Sequence, residues 1–524
     1  MIGRQVVFSN GQVGVVVTHR PPLAFVYTDM NELEDAEGQV TVLDSLAAVE
    51  VSGDVRKSDC FGRVEGRMST TGESIKRPIF APIPQVKDIA LINTPLVTGV
   101  TMFDALAPIG NGQNMLMVGH DIDDMRRYVC DILSVQKDRT KCFYACTDDT
   151  EQVSKLLNDA GLVDDVVLVR ENDKEGVDAA SKAAEATVIA ATACAMAESF
   201  ALEKGMDTFV IIDSIDQHKK LWDTTTRVLV DVFGADSVVK GEREGGASSE
   251  MRAFFSSLIQ RSAQYNSKRG GGSVTLLLLS TIPVMTESDG DAVFSPEDFV
   301  GTPAKVQERI NWLVEKKVPL TAANLRKIQL PIPSDMEGRR RLALQHIDDL
   351  ISMSDGQIWL DEELAKAGQH PAMNFQRSIT RIGIGADTES RADAAAMRRV
   401  VEGLRLDLSQ ALDMDAADVG TNASKKQIRN ASAWLLAMHQ PSSSGSRSLS
   451  ESCVALLAAS GGHLNDNVDN GNVAGTAEGE KLMKRLLEHV NLEAPTAMSE
   501  IDSSQDLTDI TRESIEDAIK SFFS

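Results

Sequence analysis

No two cysteines stand at C-x-x-C spacing: Cys60, Cys130, Cys142, Cys146, Cys194 and Cys453 are scattered, and eight histidines form no ligand cluster. That leaves neither a zinc ribbon nor a dithiol redox motif, and the thiols read as buried free cysteines in a reducing compartment. Positive charge is short too. Lys and Arg number 53 against 77 Asp and Glu, a net charge of -24. Nucleic-acid phosphates would be repelled, so no nucleic acid is expected as a partner, whereas a basic protein partner fits the imbalance. No run approaches the ~20 apolar residues of a membrane span, so no direct membrane insertion is expected. The opening MIGRQVVFSNGQVGVVV has the texture of a strand, not of a signal or transit peptide.

What is present suits a globular chain of roughly two to four domains, with 42% hydrophobic and 25% charged residues. Residues 1–85 carry short Val-rich runs, Val6-Val7-Phe8, Val13-Gly14-Val15-Val16-Val17 and Val40-Thr41-Val42-Leu43. Turn signals at Asn10-Gly11 and Ser52-Gly53 divide them, as in a small β-barrel or part of one. From residue 86 apolar strand-like runs alternate with helical ones. Met115–Val118, Cys142–Cys146, Val166–Val169, Phe209–Ile212 and Val274–Leu279 read as parallel strands, with helices over Lys182–Lys204 and Glu250–Asn266. An excursion over residues 287–345 interrupts this rhythm and carries the helix-like VQERINWLVEKK, a surface loop or a partner contact. Beyond residue 386 the pattern is helical, broken by the Ser-rich linker Pro441–Ser446.

One stretch is chemically specific. In PIGNGQNMLMVGHDIDDMR (108–126) a turn feeds an apolar strand that ends at Gly119, and a helix follows. This is the setting of a phosphate-binding loop, G-x-x-x-x-G-K-[ST]. Its second glycine falls on Asp124, its lysine on Met125 and its hydroxyl on Arg126. Met125 brings no charge to a phosphate, Arg126 cannot ligate Mg²⁺, and Asp121, Asp123 and Asp124 add negative charge. One carboxylate at about 4 Å from a phosphate charge costs on the order of 4 kcal/mol at an effective dielectric near 20. That is roughly a thousandfold in affinity. Mg²⁺ recruited by the aspartates would offset part of it. No cofactor is therefore expected to bind tightly, and ATP or ADP with Mg²⁺ at most weakly; the degenerate loop comprises Gly119, Asp124, Met125 and Arg126, flanked by Gln113.

Four blocks follow one another: TGVTMFDALAPIGNGQ (98–113), GGGSVTLLLLSTIP (270–283), ISMSDGQIWLDEELAKAGQHPAMNFQRSITRIG (351–383) and ESRADAAAMRRVVEGLRLDLSQ (389–410). With Gly62-Arg63-Val64 and the final ITRESIEDAIKSFF they resemble the alpha subunit of the F-type ATP synthase along nearly the whole chain. The third block is the most specific. The resemblance implies a multidomain fold: a partial N-terminal β-barrel over residues 1–85, a central RecA-like α/β domain with a mainly parallel sheet over 86–385, and a C-terminal α-helical bundle over 386–524. It also has departures. The chain enters partway into the family's barrel without the leading helix, Met373 and Thr380 replace commoner residues, and the insertion is not typical.

For function, the resemblance implies a non-catalytic subunit of a rotary proton-transporting ATP synthase, in a hetero-oligomer with beta-type and gamma-type subunits. Its location would be peripheral, on the matrix side of the mitochondrial inner membrane, or on thylakoid or bacterial membranes. Arg381 matches the family's arginine finger, which serves a beta subunit's catalytic site in trans; a surface ion pair is its bland reading. Asp355, Gly356 and Gln357 shape the same edge. Phe209-Val210-Ile211-Ile212-Asp213 resembles a Walker B strand, but with the loop lost Asp213 is expected only to cap a strand or helix end, and the family's second carboxylate falls on Ser214. Asp148 and Asp149, where a catalytic carboxylate of the beta subunit would lie, are expected to cap a helix. The alternative function is that of a diverged paralogue acting as an assembly, regulatory or structural binding protein.

Overall fold

The computed structural model describes residues 1–9, 11–28, 40–51, 57–63, 75–171, 178–234, 246–283, 304–316, 318–328, 330, 336–381, 396–401, 403–416, 422–442, 444–469 and 473–524. The chain forms two compact units, Met1–Ser280 with Met353–Ser524, and Thr281–Ser352. The architecture is multidomain: an N-terminal antiparallel sheet, a central, mostly parallel sheet flanked by helices, and a C-terminal helical region.

The N-terminal sheet has the order Leu23–Thr28, Val13–Arg20, Arg4–Val7, Thr41–Leu46. A register shift between Val16 and Thr18 puts an extra residue in the long strand, so Val15, Val16 and Val17 are all buried. A buried charge network ties this region to the central one. Glu198 accepts from Arg261 at 2.6 Å and from Arg77 at 2.9 Å, and Arg261 also donates to the carbonyls of Ile79 and Ala191. Nothing in the sequence pattern marks these three residues as partners.

The central sheet runs Ile379–Thr380, Gly356–Trp359, Asn114–Gly119, Ser273–Thr281, Asp207–Asp213, Lys141–Cys146, Val166–Val169, Lys57–Ser58. The outer pair at Ile379–Thr380 is antiparallel, as is the short strand Ala263–Gln264 against Ser273–Thr281, while Gly356–Trp359 with Asn114–Gly119 and the strands from Ser273–Thr281 to Lys57–Ser58 pair in parallel. All five expected strands form, because runs buried on both faces suit a parallel sheet covered by helices. Gly356–Trp359 was not read as a strand. A Cβ on Gly356 would stand 2.5 Å from the Ile379 carbonyl oxygen, so only glycine allows the edge strand so close.

Three expectations need correction. The helix read over Glu250–Asn266 is Gly246–Ile259. It stops because Ala263–Gln264 turns back to pair with Ser273 and Val274, and Gly112 packs on that backbone, where a Cβ would lie 2.3 Å from Gln264 N. The helix Ala179–Lys204 is long and apolar enough to cross a membrane, contrary to the sequence reading, yet 94% of its apolar window is buried inside the protein, against the strands Lys141–Cys146 and Asp207–Asp213. It serves as a core helix, capped by Asp178 and ended by Gly205. Lastly, the Ser-rich stretch after Pro441 is stitched down. Gln440 Nε2 donates to the Gly99 and Gly445 carbonyls, and Ser446 Oγ lies 3.0 Å from Ser134 Oγ. Five of the six thiols are buried as expected, and Cys130 is half-buried.

The unit Thr281–Ser352 contains helices Ala304–Glu315 and Ala322–Lys327 and most of Met336–Met353, around Ile310, Leu313, Leu320, Leu325 and Leu330. Glu287–Asp291, within the excursion, lies outside the described residues, as do Asn10, Ser52-Gly53, Val64, Ile382-Gly383 and residues 389–395. In the C-terminal region Ser448 and Glu451 form a reciprocal capping box that starts the buried helix Leu449–Ser460. Helices Ala477–Glu493, Pro495–Ser504 and Asp509–Phe523 pack around it.

Candidate functional site

Between the strand Asn114–Gly119 and the helix Ile122–Gln136 stand only His120 and Asp121. A wrapping loop needs the residues between its two glycines outside the helix, with their N–H groups converging on phosphate. Here Ile122 and Asp123 are already helical. Asp121 is the helix cap, and its carboxylate accepts from Asp123 N at 2.9 Å and Asp124 N at 3.2 Å. Those first-turn N–H groups are the donors a phosphate would use, and the protein's own anion takes them. Met125, at the lysine position, is fully buried in the core; a Cβ on Gly119 would stand 3.1 Å from its sulfur. Asp124 accepts from Ser442 Oγ at 3.0 Å. Gln113 precedes the same strand at its other end and its Oε1 accepts from Gly110 N, so it flanks the loop in sequence only.

Arg126, at the hydroxyl position, points inward. Its Nε lies 2.7 Å from Asp213 Oδ2, and its Nη2 donates to Asp213 Oδ1 and to the Asp148 carbonyl. Tyr144 Oη donates to Asp213 Oδ2 at 2.7 Å. The two charged side chains are 5% and 1% exposed. Burial works against the Arg126 charge, and Asp213 together with the neighbouring Tyr144 and Cys146 raises the guanidinium pKa on balance. Burial pushes the Asp213 carboxyl upward, opposed by Arg126 and Tyr144. Asp123 and Asp149 stand 3.4 and 3.7 Å from Arg126 Nη1. Removing one partner of such a pair costs about 3–5 kcal/mol, because it strands a buried charge.

Asp213 therefore does not cap a strand or helix end as expected; the helix after it starts without a side-chain cap. Asp149 caps the helix Thr150–Asp159, accepting from Gln152 N, whereas Asp148 accepts from Gln217 Nε2 instead. Ser214 N donates to Thr147 Oγ1, which bonds back to the Asp213 carbonyl. The Arg126–Tyr144–Asp213 cluster escaped the sequence reading. Its one visible signal was an arginine at the motif's hydroxyl position facing a chain with an acidic strand end.

Arg381 lies elsewhere. Thr380 pairs with Gly356, and Gly356 with Met115, so this corner sits at the amino ends of the parallel strands. Gly119 and Asp213 end their strands at the carboxyl side. A six-residue strand separates the two ends by roughly 20 Å. The exposed Arg381 donates from Nη2 to Gln357 Oε1 at 2.6 Å and from Nη1 to the Ser354 carbonyl at 3.3 Å. Its backbone N–H donates to the Asp355 carbonyl. Asp355 in turn accepts from Asn114 N and Nδ2, at 3.0 and 2.9 Å.

Residues 99–292 match the family model of the ATP synthase alpha/beta family, nucleotide-binding domain. The chain is similar to ATP synthase alpha subunits. It is 23% identical to the ATP synthase subunit alpha of Ehrlichia ruminantium (strain Gardel), over 97% of this chain and 87% of that one. It is 27% identical to the subunit alpha of Caldanaerobacter subterraneus subsp. tengcongensis, over 81% and 71%. The subunit alpha of Mycoplasmopsis agalactiae shares 25% identity over 79% of this chain and 65% of its own length.

Proposed function

We propose that the chain is a non-catalytic alpha-type subunit of a rotary ATP synthase, a hetero-oligomer with beta-type and gamma-type partners, that binds no nucleotide of its own and offers Arg381 to a beta-type partner. The observation that carries this reading is the separation of Arg381 from the Arg126–Asp213 pair at opposite ends of one sheet. Arg381 cannot reach the loop remnant of its own chain, and the remnant already holds an internal cation. In trans, a guanidinium beside a transferring phosphoryl group stabilises its developing charge. The complex would sit peripherally on a proton-translocating membrane. The relatives compared are bacterial, so a bacterial membrane suits this reading as well as the mitochondrial inner membrane does.

Native purification tests it. Equal stoichiometry with a beta-type subunit is expected, together with loss of ATPase activity in the Arg381→Ala complex; substoichiometric association or unchanged activity overturns it. The second reading, a structural or regulatory paralogue, draws on the separate core of the Thr281–Ser352 unit. Association confined to subcomplexes that lack beta would favour it.

A further inference from the structure

We infer that Gln357 is a positioning residue that aims the Arg381 guanidinium before a partner arrives. This rests on Arg381 acting across an interface, as proposed above. Gln357 lies in the strand Gly356–Trp359 and is 8% exposed. Its amide is held at both ends: Nε2 donates to the Arg377 carbonyl at 2.8 Å, and Oε1 accepts from Arg381 Nη2 at 2.6 Å. A carbonyl only accepts and a guanidinium only donates, so these neighbours fix which way the amide faces. The Ser354 carbonyl takes Arg381 Nη1, and two acceptors on two nitrogens set the plane of the group.

Both acceptors are uncharged. They orient the cation without adding a negative charge of their own, which a carboxylate in the same place would do. Asp355, on the same turn, accepts at Oδ2 from Asn114 N and Nδ2. The Asn114–Asp355 pair anchors the turn to the neighbouring strand, and the turn presents Ser354 and Gln357 to the arginine. A flexible side chain held in advance has less freedom to lose when the interface forms.

The test uses the purified complex with its beta-type subunits. Gln357→Met keeps length and removes the acceptor. It is expected to lower kcat roughly ten- to a hundredfold, as misplacement of a catalytic group does, with nucleotide KM, subunit stoichiometry and thermal midpoint unchanged. Combined with Arg381→Ala it should add no further loss, because it works through that arginine. Gln357→Glu, which keeps an acceptor and adds a charge, should lose more than Gln357→Met. If Arg381→Ala abolishes activity while Gln357→Met is near wild type, or if the two losses multiply, the positioning role is overturned and the proposed subunit role stands. If Arg381→Ala is silent, both fail.

Discussion

The two ends of the central sheet treat their arginines in opposite ways. At the carboxyl ends Arg126 is turned inward, 5% exposed, and spent on Asp213. At the amino ends Arg381 is exposed and held by neutral carbonyl oxygens. The same side chain is a buried structural cation where a carboxylate meets it, and an exposed one where a side-chain amide and a backbone carbonyl orient it. At the carboxyl ends the chain keeps an internal cation on Asp213 and a carboxylate cap, Asp121, on the first-turn N–H groups of the helix.

The largest expected effect bears on the amino end. Arg381→Ala should lower ATPase turnover of the complex by about 10³-fold or more, read by steady-state kinetics with stoichiometry as control. Next comes the carboxyl end. Arg126→Ala should destabilise the fold by about 3–5 kcal/mol in urea unfolding, and the double change Arg126→Met with Asp213→Leu should recover most of that, since an apolar pair leaves no stranded charge. An equal loss in the double variant would break the contrast between the two ends.

A smaller effect serves as an internal control. Asp104 is buried, and burial raises its carboxyl to about 7, against the N–H groups of Thr98 and Gly99. The folded chain thus binds about one more proton than the unfolded chain between the ordinary carboxyl range and pH 7. Stability from this group should fall as pH rises through that window and level off above it. Asp104→Asn should remove that component of the slope in urea midpoints taken at pH 5 and 7.5, and variants at Arg126 or Arg381 should leave it in place. The smallest expected effect is a null: millimolar MgATP should leave the thermal midpoint of the isolated chain unchanged, where a tight site would raise it by mass action. A clear upward shift would show that the carboxyl end still takes nucleotide.

Much of this was legible in the residues. The five apolar runs became strands because short, almost wholly apolar segments at strand length suit a sheet covered on both faces. The altered loop was visible as soon as Asp124, Met125 and Arg126 were set against the phosphate motif. The early helix start at Ile122 was less so, since Asp121 as a cap competes locally with a longer loop. The short edge strand at Gly356 was hidden, because a glycine at its start carries no strand signal and the reason for it lies in a neighbouring strand. The long helix Ala179–Lys204 shows the converse: composition gave its length, and only packing gave its place.

By itself the sequence determined that Asp124, Met125 and Arg126 stand at the glycine, lysine and hydroxyl positions of the phosphate motif and that an arginine stands in the segment 378–383, because those facts are residue identities in a local pattern. Only the tertiary structure decided where each charge is spent. Arg126 and Asp213 are 87 residues apart, as are no two partners that local periodicity can pair. Their contact exists because the parallel sheet brings the carboxyl ends of strands distant in sequence to one side, where the helix after Gly119 reaches Asp213, and the same topology carries Arg381 to the amino ends, away from both.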